Sequence, residues 1–335
     1  MKVLVTGATG FIGQALVENL LFESCEVRGL VRQSSVALPS AVEQVAVGDL
    51  IDLTLLNSSS VLREALKGVD TVVHTAARVH VMNDEVSNPL DEFRKVNLNA
   101  TLVLARLSAE SGVKRFVFLS SIKVNGEMTK SCQAFTPDDV HIPDDPYGLS
   151  KYEAEQGLLS LTKETNMEVV IIRPPLVYGP GVKGNFASMI RWMSKPLPLP
   201  FGAIHNQRSL VALDNLVSFI SLCVDREKSL KASNQIFLIS DGQDVSTTQL
   251  FKKVGQALNL QSHSGIKAWL VPFPVYIMKF LADILGKREI ANRLFGSLQI
   301  DNSKAHDLLG WSPVVTMDEQ LAKIPKEISR RRFSL

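Results

Sequence analysis

Cysteine is scarce: the chain has three in 335 residues, Cys25, Cys132 and Cys223. An odd number set so far apart builds no disulfide framework and offers no metal-ligand spacing. A stapled secreted scaffold is therefore excluded, no metal site is expected, and a reducing compartment fits best. Charge of one sign is also missing. Thirty-six Lys and Arg face 34 Asp and Glu, for a net +2, without the clustered basic face that a nucleic-acid partner needs. The Arg330-Arg331-Arg332 run is short and reads as a solvated tail, or at most a contact with a membrane surface. Long apolar runs are absent too. The opening MKVLVTGATGFIG breaks at Gly7 and Gly10, too early for the core of a signal peptide. The most apolar later stretch, 269–285, is interrupted by Pro272, Pro274, Lys279 and Asp283, so no membrane-spanning helix is expected. These absences point to a cytoplasmic protein. What remains is ordinary globular material, 45% hydrophobic and 21% charged, with length for one large domain or two intimate ones.

Over the first 175 residues, short β-branched runs alternate with helical patterns. Strands are expected at 3–5, 26–31, 45–47, 71–74, 115–119 and 168–172, and helices at 14–22, 61–66, 92–111 and 150–162. Such alternation implies a parallel sheet covered on both faces. Beyond Pro174 the pattern changes. Prolines and glycines crowd 174–184 and 196–202, one more strand is expected at 236–239, and helices at 247–258 and 275–285. This reads as a smaller, irregular lobe over the carboxyl edge of the sheet, where open α/β sheets bind ligands.

Gly7, Gly10 and Gly13 stand at G-x-x-G-x-x-G spacing between the first strand and the first helix. Missing side chains let the backbone approach a pyrophosphate at the helix N-terminus, and Phe11 and Ile12 complete the loop. The second strand ends Gly29-Leu30-Val31-Arg32, with no acid before Asp49. An acid there would take the ribose hydroxyls of NAD; Arg32 instead suits a 2′-phosphate, so NADP is favoured over NAD. Asp49 and Leu50 are placed to touch the adenine, and Thr75, Ala76 and Ala77 leave room for the cofactor ribose. His74 reads as a core histidine. Tyr147 and Lys151, four apart, share one face of a helix start; an ammonium beside a phenol favours the phenolate. Ser121, just past the fifth strand, offers a hydroxyl to a reacting oxygen.

Together TGATGFIG at 6–13, GDL at 48–50, HTAA at 74–77, Asn97, LSSIKVNG at 119–126, YGLSK at 147–151, RPPLVYGP at 173–180 and DNSKAHDLLGWSP at 301–313 resemble the extended short-chain dehydrogenases, also called the NAD-dependent epimerase/dehydratase family. The resemblance runs nearly end to end. It implies a Rossmann-type, doubly wound parallel sheet at 1–175 and a mixed substrate-binding lobe at 176–335, with some segments returning to the sheet domain. It implies Tyr147 as acid/base, Lys151 as the residue that lowers its pKa and holds the nicotinamide ribose, and Ser121 as the group on the substrate oxygen. Asn97 would support the site, and Pro174 would line the cofactor. A homodimer through helices 92–111 and 150–162 is also implied.

Relatives that dehydrate sugars carry an Asp-Glu pair after the catalytic hydroxyl; here Ile122-Lys123 follows. Dehydration is thus set aside, and a sugar carried on a nucleotide diphosphate is the expected substrate. Arg32 and Leu176, the latter where 4-epimerases usually have asparagine, favour a UDP-4-keto-hexose reductase. The alternatives are a UDP-hexose or UDP-N-acetylhexosamine 4-epimerase with tightly bound NAD, and a reductase of a non-sugar ketone. Asn185, Arg208 and Arg293 are expected at the sugar diphosphate and Phe201 beside the base.

Overall fold

The computed structural model describes residues 1–48, 60–79, 88–130, 133–139, 141–195, 197–259, 269–286 and 288–324. Its centre is a seven-stranded, wholly parallel sheet. The strands are β1 (Lys2–Thr6), β2 (Glu26–Val31), β3 (Glu43–Ala46), β4 (Thr71–His74), β5 (Arg115–Leu119), β6 (Glu168–Arg173) and, after the short β7 (Leu176–Tyr178), β8 (Pro198–Leu199) and β9 (Leu210–Ala212), β10 (Gln235–Leu238). Their order is β10-β6-β5-β4-β1-β2-β3. The order reverses between β1 and β4, and it is at such a switch point that ligands bind, outside the carboxyl ends of the strands.

One face is covered by α1 (Phe11–Phe22) and α7 (Leu213–Val224) and the other by α2 (Ser60–Leu66), α4 (Thr101–Glu110) and α5 (Pro146–Leu161). Strands buried on both faces read as continuous apolar runs, as RFVFL and EVVIIR do. The expected helix at 92–111 is α3 (Pro89–Phe93), a π-helical turn over Arg94–Ala100, and α4. The helix expected from 150 starts earlier, at Pro146. Asp145 caps it, accepting from Gly148 N at 3.0 Å, and a proline in the first turn leaves no amide unsatisfied there.

Three pieces from beyond residue 175 build the sheet domain: β10 pairs with β6, α7 packs against α1, and the helix at Ser303–Leu309 packs on β10, with Ala305 and Trp311 in the same core. The other lobe has its own core, where Tyr178, Phe186, Leu210, Leu250, Phe251 and Val254 from α6 (Gly184–Met193), α8 (Thr247–Asn259) and their neighbours meet. Beyond it lie β11 (Trp269–Leu270), paired with β8, then α9 (Val275–Ile284), α10 (Arg288–Phe295) and α11 (Ser303–Leu309). No helix among the described residues is long and apolar enough to cross a membrane.

His74 is a buried part of this scaffold. Its Nδ1 lies 2.7 Å from Thr6 Oγ1 and its Nε2 2.9 Å from Thr101 Oγ1. Thr101 donates its own proton to Asn97 O, so Nε2 carries the imidazole proton and Nδ1 accepts from Thr6. Burial, with Lys151 nearby, pushes the ring down from 6.5 to about 3. An unfolded chain therefore binds a proton below about 6.5 that the native state refuses until about 3. The histidine's contribution is whole above that window and is lost as pH falls through it, by about 2 kcal/mol at pH ~5. Urea unfolding of wild type and His74→Asn at pH ~7 and ~5 checks this: the variant should lose that much less on acidification. An equal loss in both would contradict it.

Candidate active site

The glycine loop sits at the switch point. Gly7 has φ +67, and a Cβ there would stand 2.8 Å from Ala76 N. A Cβ at Gly13 would meet Gly7 O at 2.1 Å. Neither position admits another residue, so β1, α1 and the loop after β4 close on one another without side chains between them. Thr75 Oγ1 donates to Thr6 O at 2.7 Å, which fixes that loop against β1. Gly10 caps α1 with no side-chain hydrogen bond, and the first turn holds no acid. The helix N-terminus thus presents its free amides and positive dipole end to whatever enters the crevice. Phe11 and Ile12 begin the helix and pack partly on the core. These residues fit the pyrophosphate of a dinucleotide. Arg32 is exposed just past β2; Asp49 and Leu50 lie outside the described residues.

Across the crevice, Tyr147 in the first turn of α5 is hydrogen-bonded to Ser121, and the Phe93 ring meets its edge at 5.9 Å. Lys151 Nζ, buried one turn on, donates to Leu119 O at 2.9 Å and lies 4.5 Å from the Phe118 ring centre. Burial pushes the Tyr147 phenol up to about 12, against the Ser121 hydrogen bond and with help from Asp145. Burial drives Lys151 down to about 7, held up only by Glu155. This differs from the sequence expectation, in which an ammonium lowers the phenol's pKa. The lysine is itself desolvated and spends a proton on a backbone carbonyl, so the phenol stays protonated at neutral pH. A positive charge set beside it would bring it down.

Asn97 was expected from the sequence to support the site; the other positioning groups were not foreseen. Asn97, within the π-helical turn, accepts from Arg78 N at 2.9 Å and donates to Arg78 O and Ser150 Oγ, both at 3.0 Å. It ties the loop after β4 to the helix of Tyr147. Lys123 bridges Asp145 and Glu127, each at 2.9 Å, so the lysine in the dehydratases' acid position pins the start of α5. Ile122 N donates to Pro174 O at 3.0 Å, which fixes the Ser121 turn on the end of β6. Beneath it, Ser120 Oγ donates to the buried Glu155, whose carboxylate also takes Arg173 Nη2 at 2.6 Å, and Arg173 Nη1 reaches Asn125 Oδ1 at 2.9 Å. The Asp145-Pro146 pair was a readable start signal for the helix; the Glu155–Arg173 pair is 18 residues apart and had none.

In the lobe, Arg208 Nη1 donates to the carbonyls of Arg293 and Gly296 at 2.8 and 3.1 Å. No carboxylate among the described residues pairs with it. Burial lowers its pKa, and the neighbouring Arg293 cation adds to that. Two guanidinium groups that repel each other favour an anion between them. Phe201 stacks with Phe251 at 4.8 Å and Trp192 at 6.2 Å beside the lobe's core. It is half-buried and packs against that core. Asn185 stands in the first turn of α6, but its side chain lies outside the described residues. Leu176 opens β7 and is 41% exposed.

A model of the NAD dependent epimerase/dehydratase family matches residues 3–239. The chain is 45% identical over 322 residues to a UDP-glucose 4-epimerase of Vibrio cholerae, covering 95% of this chain and 92% of that one. It is 29% identical over 320 residues to the N-acetyl-alpha-D-glucosaminyl-diphospho-ditrans,octacis-undecaprenol 4-epimerase of Escherichia coli O157:H7, covering 91% and 88%. The structure of a UDP-glucose 4-epimerase from Thermotoga maritima with UDP-glucose shares the fold, with TM-score 0.76, 24% identity and coverage of 99% and 100%.

Proposed function

The chain belongs to the NAD-dependent epimerase/dehydratase family, and on that premise we propose that it is a 4-epimerase of a hexose carried on a nucleotide diphosphate, with UDP-glucose and UDP-galactose the pair to offer first. The observation that carries this reading is the identity of 45% along almost the whole length of a UDP-glucose 4-epimerase. It reverses the order taken from sequence, which put a reductase ahead on Arg32 and Leu176. Arg32 bears only on the adenosine end of the cofactor and says nothing about what happens at the sugar carbon.

A bound dinucleotide would supply the acceptor, and then the donor, of the hydride at the sugar's C4. The chain's own part is binding and proton handling. Tyr147 holds or moves the proton at the C4 oxygen, Ser121 hydrogen-bonds that same oxygen, and Lys151 sets the charge beside them. The Arg208–Arg293 pair takes the diphosphate. Ile122-Lys123 supplies no second acid or base, so the reaction stops short of water loss.

An epimerase regenerates its cofactor in each cycle and gains nothing by releasing it. Denaturing freshly purified protein should therefore free close to one nicotinamide dinucleotide per chain, and NAD is the form expected. Arg32 with Ser34 and Ser35 beside it favours NADP as the second reading. An empty site that fills equally well and reversibly from solution would speak against a retained cofactor.

A further inference from the structure

Helix α9 is apolar except at Lys279 and Asp283, and none of its ten residues is buried. Tyr276, Phe280 and Ile284 follow one another at single-turn spacing and are 74%, 64% and 65% exposed. Leu281 and Leu285 lie beside them, Trp269, Val271 and Phe273 lead into the helix, and Ile290 continues the surface on α10; all are exposed. The helix packs on α10 across Gly286, whose φ of +65 ends α9. Single exposed apolar side chains are ordinary, but a contiguous set of large ones marks a docking surface.

We propose that β11, α9 and α10 form a membrane-docking surface that lies in the headgroup–acyl boundary of an anionic bilayer. Val275, Met278 and Ala282 are half-buried and seat one side of α9 on the body, while Tyr276, Phe280, Leu281 and Ile284 turn outward. A helix seated in this way can lay its outward apolar side in the headgroup–acyl boundary while the body stays in water. Charge agrees: in the sequence of 269–290, Lys279, Lys287 and Arg288 outnumber Asp283 and Glu289, which suits anionic headgroups. Trp269 and Tyr276 are the amphipathic aromatics that settle at such boundaries. The segment lies in the surface and does not cross it, because α9 is ten residues long and a span needs about 20. Docking would hold the Arg208–Arg293 pair, tied to the end of α10, close to the lipid headgroups. Nothing here depends on which sugar the site turns over.

Flotation tests it, using vesicles of phosphatidylcholine with phosphatidylglycerol. Wild type should float with the vesicles, and Phe280→Glu/Ile284→Glu should float at least tenfold less, with unchanged melting temperature and dinucleotide content. If that pair melts lower, Phe280→Ser/Ile284→Ser replaces it with the same expectation. Wild type left at the bottom of the gradient, or a variant that floats as well, would overturn the proposal. So would a dimer in vesicle-free solution that the same substitutions split, because a second copy would then be the occupant.

Discussion

Tyr147→Phe should lower turnover by about a hundredfold to ten-thousandfold, the range that a positioned general acid or base supplies, while the protein keeps its fold and its dinucleotide. The substitution removes one oxygen from a half-buried ring that Phe93 already packs against, so the apolar contacts survive. What is lost is the only described proton carrier hydrogen-bonded to Ser121. KM for the nucleotide sugar should change little, since the Arg208–Arg293 pair is untouched. A variant with near-normal turnover would remove Tyr147 from the mechanism. A variant that unfolds would be read instead through Ser121→Ala, which should lower turnover in the same direction.

Glu155→Ala is expected to cost about 3–5 kcal/mol of stability, the usual consequence of leaving a buried charge without its partner. Glu155 is fully buried and Arg173 is 4% exposed. Their pairing holds Ser120, which adjoins Ser121, and Asn125, whose Nδ2 donates to Thr136 O at 2.7 Å. Removing the carboxylate strands a guanidinium that water cannot reach. Replacing both partners with Met should recover most of the loss, because apolar groups of similar volume need no counter-charge. Urea denaturation of the two variants checks this. A loss below about 1 kcal/mol for Glu155→Ala would mean that Arg173 finds other partners.

Much of the cofactor side was legible because it is local. The strand, glycine turn and helix of residues 2–22 are consecutive, and their spacing alone dictates a backbone that can approach a phosphate. Tyr147 and Lys151 are one helical turn apart, so sequence distance is spatial distance. The lobe was harder. Phe201 reads the same in sequence whether it faces a base or a core; its stacking on Phe251, 50 residues away, is visible only in the fold. The buried network of Ser120, Glu155, Arg173 and Asn125 joins three elements whose proximity depends on β5 and β6 lying side by side. The π-helical turn that aims Asn97 has no sequence signature. The periodicity of 275–285 announces a helix correctly, but an apolar helix is equally suited to a core or to a lipid surface. Its exposure appeared only with the fold.

The most direct measurement of the central claim is to incubate the purified protein with UDP-glucose, without added cofactor, and follow UDP-galactose over time. The account predicts interconversion to an equilibrium mixture from either sugar, with no net change in absorbance from reduced nicotinamide. A protein that is inert until NADPH is added, and then consumes it stoichiometrically with a keto-sugar, would contradict the epimerase reading and restore the reductase.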